Sequence, residues 1–263
     1  MQIKDFLCRE GELPLDRIAE DGGFTAIFRK IACVGDSLAS GEFEVKNEEG
    51  QTLCIDRREH SWGQYIARMC GSTVYNFSKG GMNAKEYRRA FANNSGFWQR
   101  DLAANAYIIA LGVNDILNSP DPNYGDFSDI CHEDYEKNEW TFIGNYAYII
   151  QRYKSIQPDA KFFLVGMPRS GRDDERVRRH RDILIKLSEI FSNTYFLDLY
   201  QYAPELDAEF KRNFYLGSHL TPTGYYFMAK VIASYIDYII RKDMPSFKYV
   251  GLMGFDFKNP LLS

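Results

Sequence analysis

Five short apolar runs, at about 29–34, 72–77, 106–111, 161–167 and 194–199, punctuate this chain of 263 residues. The stretches around them carry apolar residues at helical spacing: about 62–70 behind a Ser61 N-cap, Asn83 through Tyr87 and Phe91, about 140–156, Asp173 or Asp174 to about 192, and Pro222 to about 241. Parallel strands need a crossover long enough to hold a helix, and strands covered on both faces read as unbroken apolar runs. The alternation therefore predicts an α/β chain: a five-stranded parallel sheet wrapped on both faces by helices. No internal repeat and no linker rich in Pro, Gly or Ser divides it, so residues 1–263 read as one domain. Within it, 1–28 form an N-terminal arm, 41–60 a loop or small hairpin, 118–138 a long loop, 200–218 an irregular segment, and 244–263 an aromatic C-terminal tail.

Composition narrows the function. A net charge of -4 and a pI near 5.7 speak against a nucleic-acid binder. No run approaches the roughly 18 apolar residues of a membrane span, and no signal peptide is visible. Five scattered cysteines without a C-x-x-C argue for a reducing compartment. The expectation is a cytoplasmic protein of bacterial type. No His/Cys/Asp cluster has metal-ligand spacing, so neither metal nor other cofactor is expected.

The chemistry sits where strands end. The first run closes in Gly35-Asp36-Ser37, the second in Asn76-Phe77-Ser78-Lys79-Gly80-Gly81, the third in Gly112-Val113-Asn114-Asp115. Ser218-His219-Leu220-Thr221-Pro222 precedes the last helix. Open α/β sheets bind ligands at the carboxyl ends of their strands. A shared edge would gather a serine, a glycine turn, an asparagine and a histidine, which are the parts of an acyl-transfer site. A serine hydroxyl needs a base to take its proton, and histidine suits that task. Of the four histidines, His60 lies in a charged run, His132 in an acidic loop and His180 in an arginine-rich helix; His219 stands in a late loop that can reach back to the first strand. Gly35 is expected to permit the sharp turn before Ser37. Asp36 and Asp115 are expected to cap or brace the turns that follow them.

These four blocks, in this order between residues 31 and 225, resemble the SGNH hydrolases, the GDSL-type esterase and lipase superfamily. The resemblance implies a three-layer α/β/α sandwich of flavodoxin-like strand order. It implies Ser37 as nucleophile and His219 as general base. The oxyanion hole would comprise the N–H of Ser37, the N–H of Gly81 (with Gly80 as second choice) and the amide of Asn114. It further implies a serine ester hydrolase working through an acyl-Ser37 intermediate, without cofactor.

One position departs from that pattern. The superfamily usually carries an Asp three residues before the histidine, and here that residue is Leu216. Asp198, Glu205 and Asp207 lie upstream at the wrong spacing. The expectation is a Ser–His dyad, with a backbone carbonyl near Leu216 accepting the other ring N–H. Two further readings stay open: a non-catalytic binding relative, and an acyltransferase. The expected partner is a small-molecule ester, with a short acyl group on a carbohydrate or similar polyol favoured by Trp62, Tyr124 and Trp140 near the cleft. Self-association is left open. In the arginine-rich segment 169–181, Arg169 is the residue that could reach the cleft.

Overall fold

The computed structural model describes Ile3 and residues 7–253. Its main elements, in chain order, are β1 (Lys30–Gly35), α1 (Ser37–Ser40), β2 (Glu42–Lys46), β3 (Thr52–Asp56), α2 (Trp62–Cys70), β4 (Thr73–Ser78), β5 (Ala106–Ala110), α3 (Phe142–Ile156), β6 (Lys161–Val165), α4 (Asp174–Ile190), β7 (Thr194–Leu197), α5 (Ala208–Phe214), β8 (Tyr215–Leu216), β9 (His219–Leu220), α6 (Pro222–Lys242) and α7 (Met244–Phe247). Five strands form one parallel sheet in the order β4-β1-β5-β6-β7. In sheet-strand terms that is 2-1-3-4-5, the flavodoxin-like order. Two antiparallel ribbons, β2–β3 and β8–β9, stand apart from it.

The strands are apolar throughout because each face is covered. Ala32, Val34, Tyr107, Ile109, Phe162 and Leu164 point into a core shared with α3 and α4. Their neighbours Ile31, Cys33, Ala106, Ile108, Phe163 and Val165 point into a second core shared with α2 and α6. The period of two in a pleated strand divides each run between the layers. Three layers result, α/β/α.

Several boundaries differ from the expectations for a local reason. The segment after Asn83 is broken into a turn at Ala84–Glu86, a wider turn at Tyr87–Phe91 and a last turn at Ala92–Asn94. Residues 200–218 are less irregular than expected, since Asp207 accepts the N–H of Phe210 and opens α5. The period there was masked by charged residues around Phe210 and Phe214. The 118–138 loop is pinned by the buried Arg88, which donates to the carbonyls of Asn138 and Glu136. In the tail, Phe247 is buried against Phe28, Phe163 and Tyr195; residues 254–263 lie outside the described residues. Among the described residues no helix is long and apolar enough to cross a membrane, and no group of three or more His, Cys, Asp or Glu could hold a metal ion.

Candidate active site

β1 delivers Ser37. The chain leaves the sheet at Gly35 and turns directly into α1, with Asp36 as N-cap accepting the N–H of Leu38 at 3.1 Å. Gly35 does not take a left-handed conformation. A glycine stands there for room: a Cβ would lie 2.9 Å from the Ala110 carbonyl and press on the Ala39 methyl. That replaces the expected reason, a turn needing unusual backbone angles. As first residue of its helical turn, Ser37 has no intrahelical acceptor for its N–H. Among the described residues its hydroxyl makes no hydrogen bond, and Ser37 lines a cavity of about 830 Å³.

β4 and β5 flank β1 and bring the next two blocks to the same edge. Gly81 adopts φ +71 and lines the cavity, and among the described residues its N–H has no acceptor. Gly80 does not line the cavity, and a Cβ there would collide with the Glu42 carboxylate. Asn114 also lines the cavity. Its amide donates to the Met82 carbonyl at 2.9 Å, and its oxygen accepts from Asn118 at 2.7 Å. An amide has two hydrogens, so one remains.

The aspartates differ from each other. Asp36 caps the turn that follows it, as expected, whereas Asp115 reaches back to accept the N–H of Ala84 at 2.9 Å. Asp115 therefore braces the block carrying Gly81. Burial pushes both carboxyl groups up to about 7. Behind Asn114, the fully buried His180 meets the Leu111 carbonyl through Nε2 at 3.1 Å. Its ring fills the space a side chain on Gly112 would need, and Gly112 has φ +132.

His219 lies in β9 and lines the same cavity as Ser37, Gly81 and Asn114. Its ring is held by β2. The Glu42 carboxylate is 3.1 Å from Nε2, and the Glu44 carboxylate is 3.9 Å from Nδ1. The Ser218 hydroxyl is 3.1 Å from Nδ1. Leu216 pairs with His219 across the ribbon, but the groups at Nδ1 are Ser218 and Glu44 rather than a Leu216 carbonyl. The Tyr225 hydroxyl, from α6, donates to the Glu42 carbonyl at 2.6 Å and lies 3.4 Å from the Ser37 carbonyl, tying β2 to α1.

Glu42 and Glu44 escaped the sequence reading. Their signal was Glu42-Phe43-Glu44-Val45, the alternation of a half-buried strand with its carboxylates on one face. Two of the upstream acids are spent elsewhere: Asp198 forms a bidentate pair with Arg181, and Asp207 caps α5. Trp62 lines the cavity. Tyr124 and Trp140 do not; they stack under Arg179 and Arg88, at 3.8 and 4.0 Å. Arg172, rather than Arg169, lines the cavity, and Arg169 borders a separate depression with Tyr202 and Lys230.

The model of a GDSL-like Lipase/Acylhydrolase family matches residues 33–227. No curated protein matches the chain by sequence. Among solved structures, a family two carbohydrate esterase from Clostridium thermocellum in complex with cellohexaose superposes with a TM-score of 0.58 at 15% identity, over 89% of this chain and 66% of that one. A protein from Lactobacillus plantarum gives 0.57 at 16% identity, over 82% and 98%. A Corynascus thermopiles carbohydrate esterase family 2 enzyme with a carbohydrate binding domain gives 0.53 at 16%, over 86% and 69%. At these identities the likeness is one of fold.

Proposed function

Because the chain belongs to the GDSL-like lipase/acylhydrolase family and is therefore an ester-hydrolysing enzyme, we propose that Ser37 is its nucleophile and His219 its base, acting on short acyl esters of carbohydrates or similar polyols. The observation that carries this reading is the convergence of Ser37, Gly81, Asn114 and His219 on one cavity, from four separate blocks of sequence.

Ser37 Oγ attacks the ester carbonyl while His219 Nε2 takes the hydroxyl proton. The carbonyl oxygen becomes an oxyanion facing the N–H of Ser37, the N–H of Gly81 and the remaining amide hydrogen of Asn114. As the C–O bond breaks, the imidazolium returns its proton to the departing alcohol, leaving an acyl-Ser37. Water, deprotonated by the same nitrogen, then releases the acid. In the unliganded site Nε2 faces Glu42, so the ring exchanges that partner for the Ser37 hydroxyl when substrate enters. Catalytic hydrogen bonds commonly tighten in this way only in the complex.

Two features support the substrate class. The cavity, about 830 Å³, holds an alcohol portion as well as a small acyl group, and Asn118, Arg172, Lys211 and Ser218 add hydroxyl-binding groups to those of the catalytic blocks. The Clostridium and Corynascus neighbours are described as carbohydrate esterases. The test is turnover of p-nitrophenyl acetate and a panel of acetylated sugars, with a fluorophosphonate as active-site label. Ser37→Ala is expected to abolish both labelling and turnover. Asn114→Ala should keep labelling and lower kcat about 10²–10³-fold, the usual cost of one oxyanion donor. Turnover that survives Ser37→Ala rejects the assignment.

A further inference from the structure

We infer that the acid missing at position 216 is supplied from strand β2: Glu44, acting through the Ser218 hydroxyl, is the positioning residue that keeps a proton on His219 Nδ1 and leaves Nε2 as the base. The inference rests on the reading of Ser37 and His219 given above.

The strand geometry comes first. β2 alternates, burying Phe43 against Tyr225 and presenting Glu42 and Glu44 to the ribbon that carries His219. The Glu44 carboxylate accepts the backbone N–H of Ser218 and lies 3.9 Å from Nδ1, beside the Ser218 side chain. That N–H, above all, holds its carboxyl below the ordinary value, so it stays an ionised acceptor. The Ser218 oxygen is 3.1 Å from Nδ1. A serine hydroxyl has one hydrogen. Once that hydrogen points at Glu44, the oxygen can only accept from the ring, and Nδ1 must carry the proton. A chain Nδ1–H to Ser218 Oγ, and Ser218 O–H to Glu44, follows from counting donors.

The turn is shaped to admit this carboxylate. Gly217 adopts φ +65, and a Cβ there would collide with the Glu44 side chain. Leu216, which stands where the acid is usual, is 45% exposed and contributes only backbone pairing with His219. Glu42 cannot take the same role while Nε2 is to be the base. A bare ring nitrogen and a carboxylate are both acceptors, so the 3.1 Å contact lasts only while a proton lies between them.

The experiment reads the ring directly. In ¹⁵N-labelled full-length protein, long-range ¹H–¹⁵N spectra distinguish the two neutral tautomers, and His219→Ala assigns the signal. Because the Glu42 contact keeps a proton at Nε2 in the resting site, the tautomer is read in Glu42→Ala, where the ring is expected to show the Nδ1–H form. Added to Glu42→Ala, Glu44→Gln and Ser218→Ala should each shift the ring toward Nε2–H; in the protein that keeps Glu42 they should lower kcat roughly tenfold to a hundredfold with KM little changed, as loss of an orienting partner does. An Nε2–H ring in Glu42→Ala overturns the inference whether or not the protein hydrolyses anything. So does a kcat loss that falls on Glu42→Gln and spares Glu44→Gln. Failure of Ser37-dependent turnover would refute the hydrolase reading while the spectra still decide the tautomer. Should Glu44→Gln fail to fold, Ser218→Ala removes one hydroxyl on an exposed turn and carries the test alone.

Discussion

His180 shows how a residue can serve this site without touching substrate. Sequence places it among arginines on a helix. The helix turns it inward, and burial lowers its pKa to about 4 while Nδ1 stays without a hydrogen-bond partner. Nε2–H donates to Leu111, and the neutral ring backs the turn that presents Asn114. The sign of its pH effect follows: the unfolded chain takes up a proton below about 6.5 and the folded chain does not, so stability is lost as pH falls from 6.5 toward 4. Measured against His180→Gln by urea unfolding, wild type should lose about 2 kcal/mol between pH 7 and pH 5. Asp36 and Asp115 act oppositely. Their carboxyls, raised by burial to about 7, hold protons in the fold, so their contribution weakens as pH rises from about 4 through 7. Gly35 teaches a related lesson: sequence marked it as special, but only the neighbouring strand's carbonyl explains why.

At the scale of elements, the two small ribbons matter most for the chemistry and were the hardest to read. Long apolar strands announce themselves because burial on both faces leaves them no polar residue. A strand of two residues such as β9 has no periodicity to detect, and β2 shows only two cycles of alternation. Sequence could place His219 before a helix that Pro222 opens, and α6 does begin there, with Thr221 accepting the N–H of Gly224 at 3.2 Å. What it could not show is that β2 would lie across that turn. The junction is testable at Gly217. Alanine there meets both a left-handed backbone and the Glu44 carboxylate, so Gly217→Ala should cost about 2 kcal/mol or more in urea unfolding, above the 1–2 kcal/mol of the backbone alone. Activity should fall with it, because the same turn holds His219.

Across the whole molecule, the parallel sheet and the meeting of the chemical blocks at one edge were legible, since strand ends in a parallel sheet share a direction, while the strand order came from the family resemblance. Contacts between distant segments were not. The clearest is the anchoring of the N-terminal arm: Arg241 of α6 pairs with Glu12 at 2.6 Å and with Asp237 at 2.7 Å, all three side chains no more than 5% exposed. Nothing in local pattern links Glu12 to a helix more than two hundred residues later. Removing one partner of a buried charged set leaves the other uncompensated. Glu12→Ala should therefore destabilise by about 3 kcal/mol in thermal or urea unfolding, while the arm's distance from the cavity leaves kcat near wild type.

The β2–β3 ribbon shares no strand pairing with the main sheet, yet it is the piece that grips the imidazole. Acid and scaffold are thus separable parts. Insertions, deletions or grafts in this hairpin could retune the proton acceptor of such an enzyme while every strand of its frame stayed as it was. A relative with Asp at the position of Leu216 would be free to let the hairpin drift.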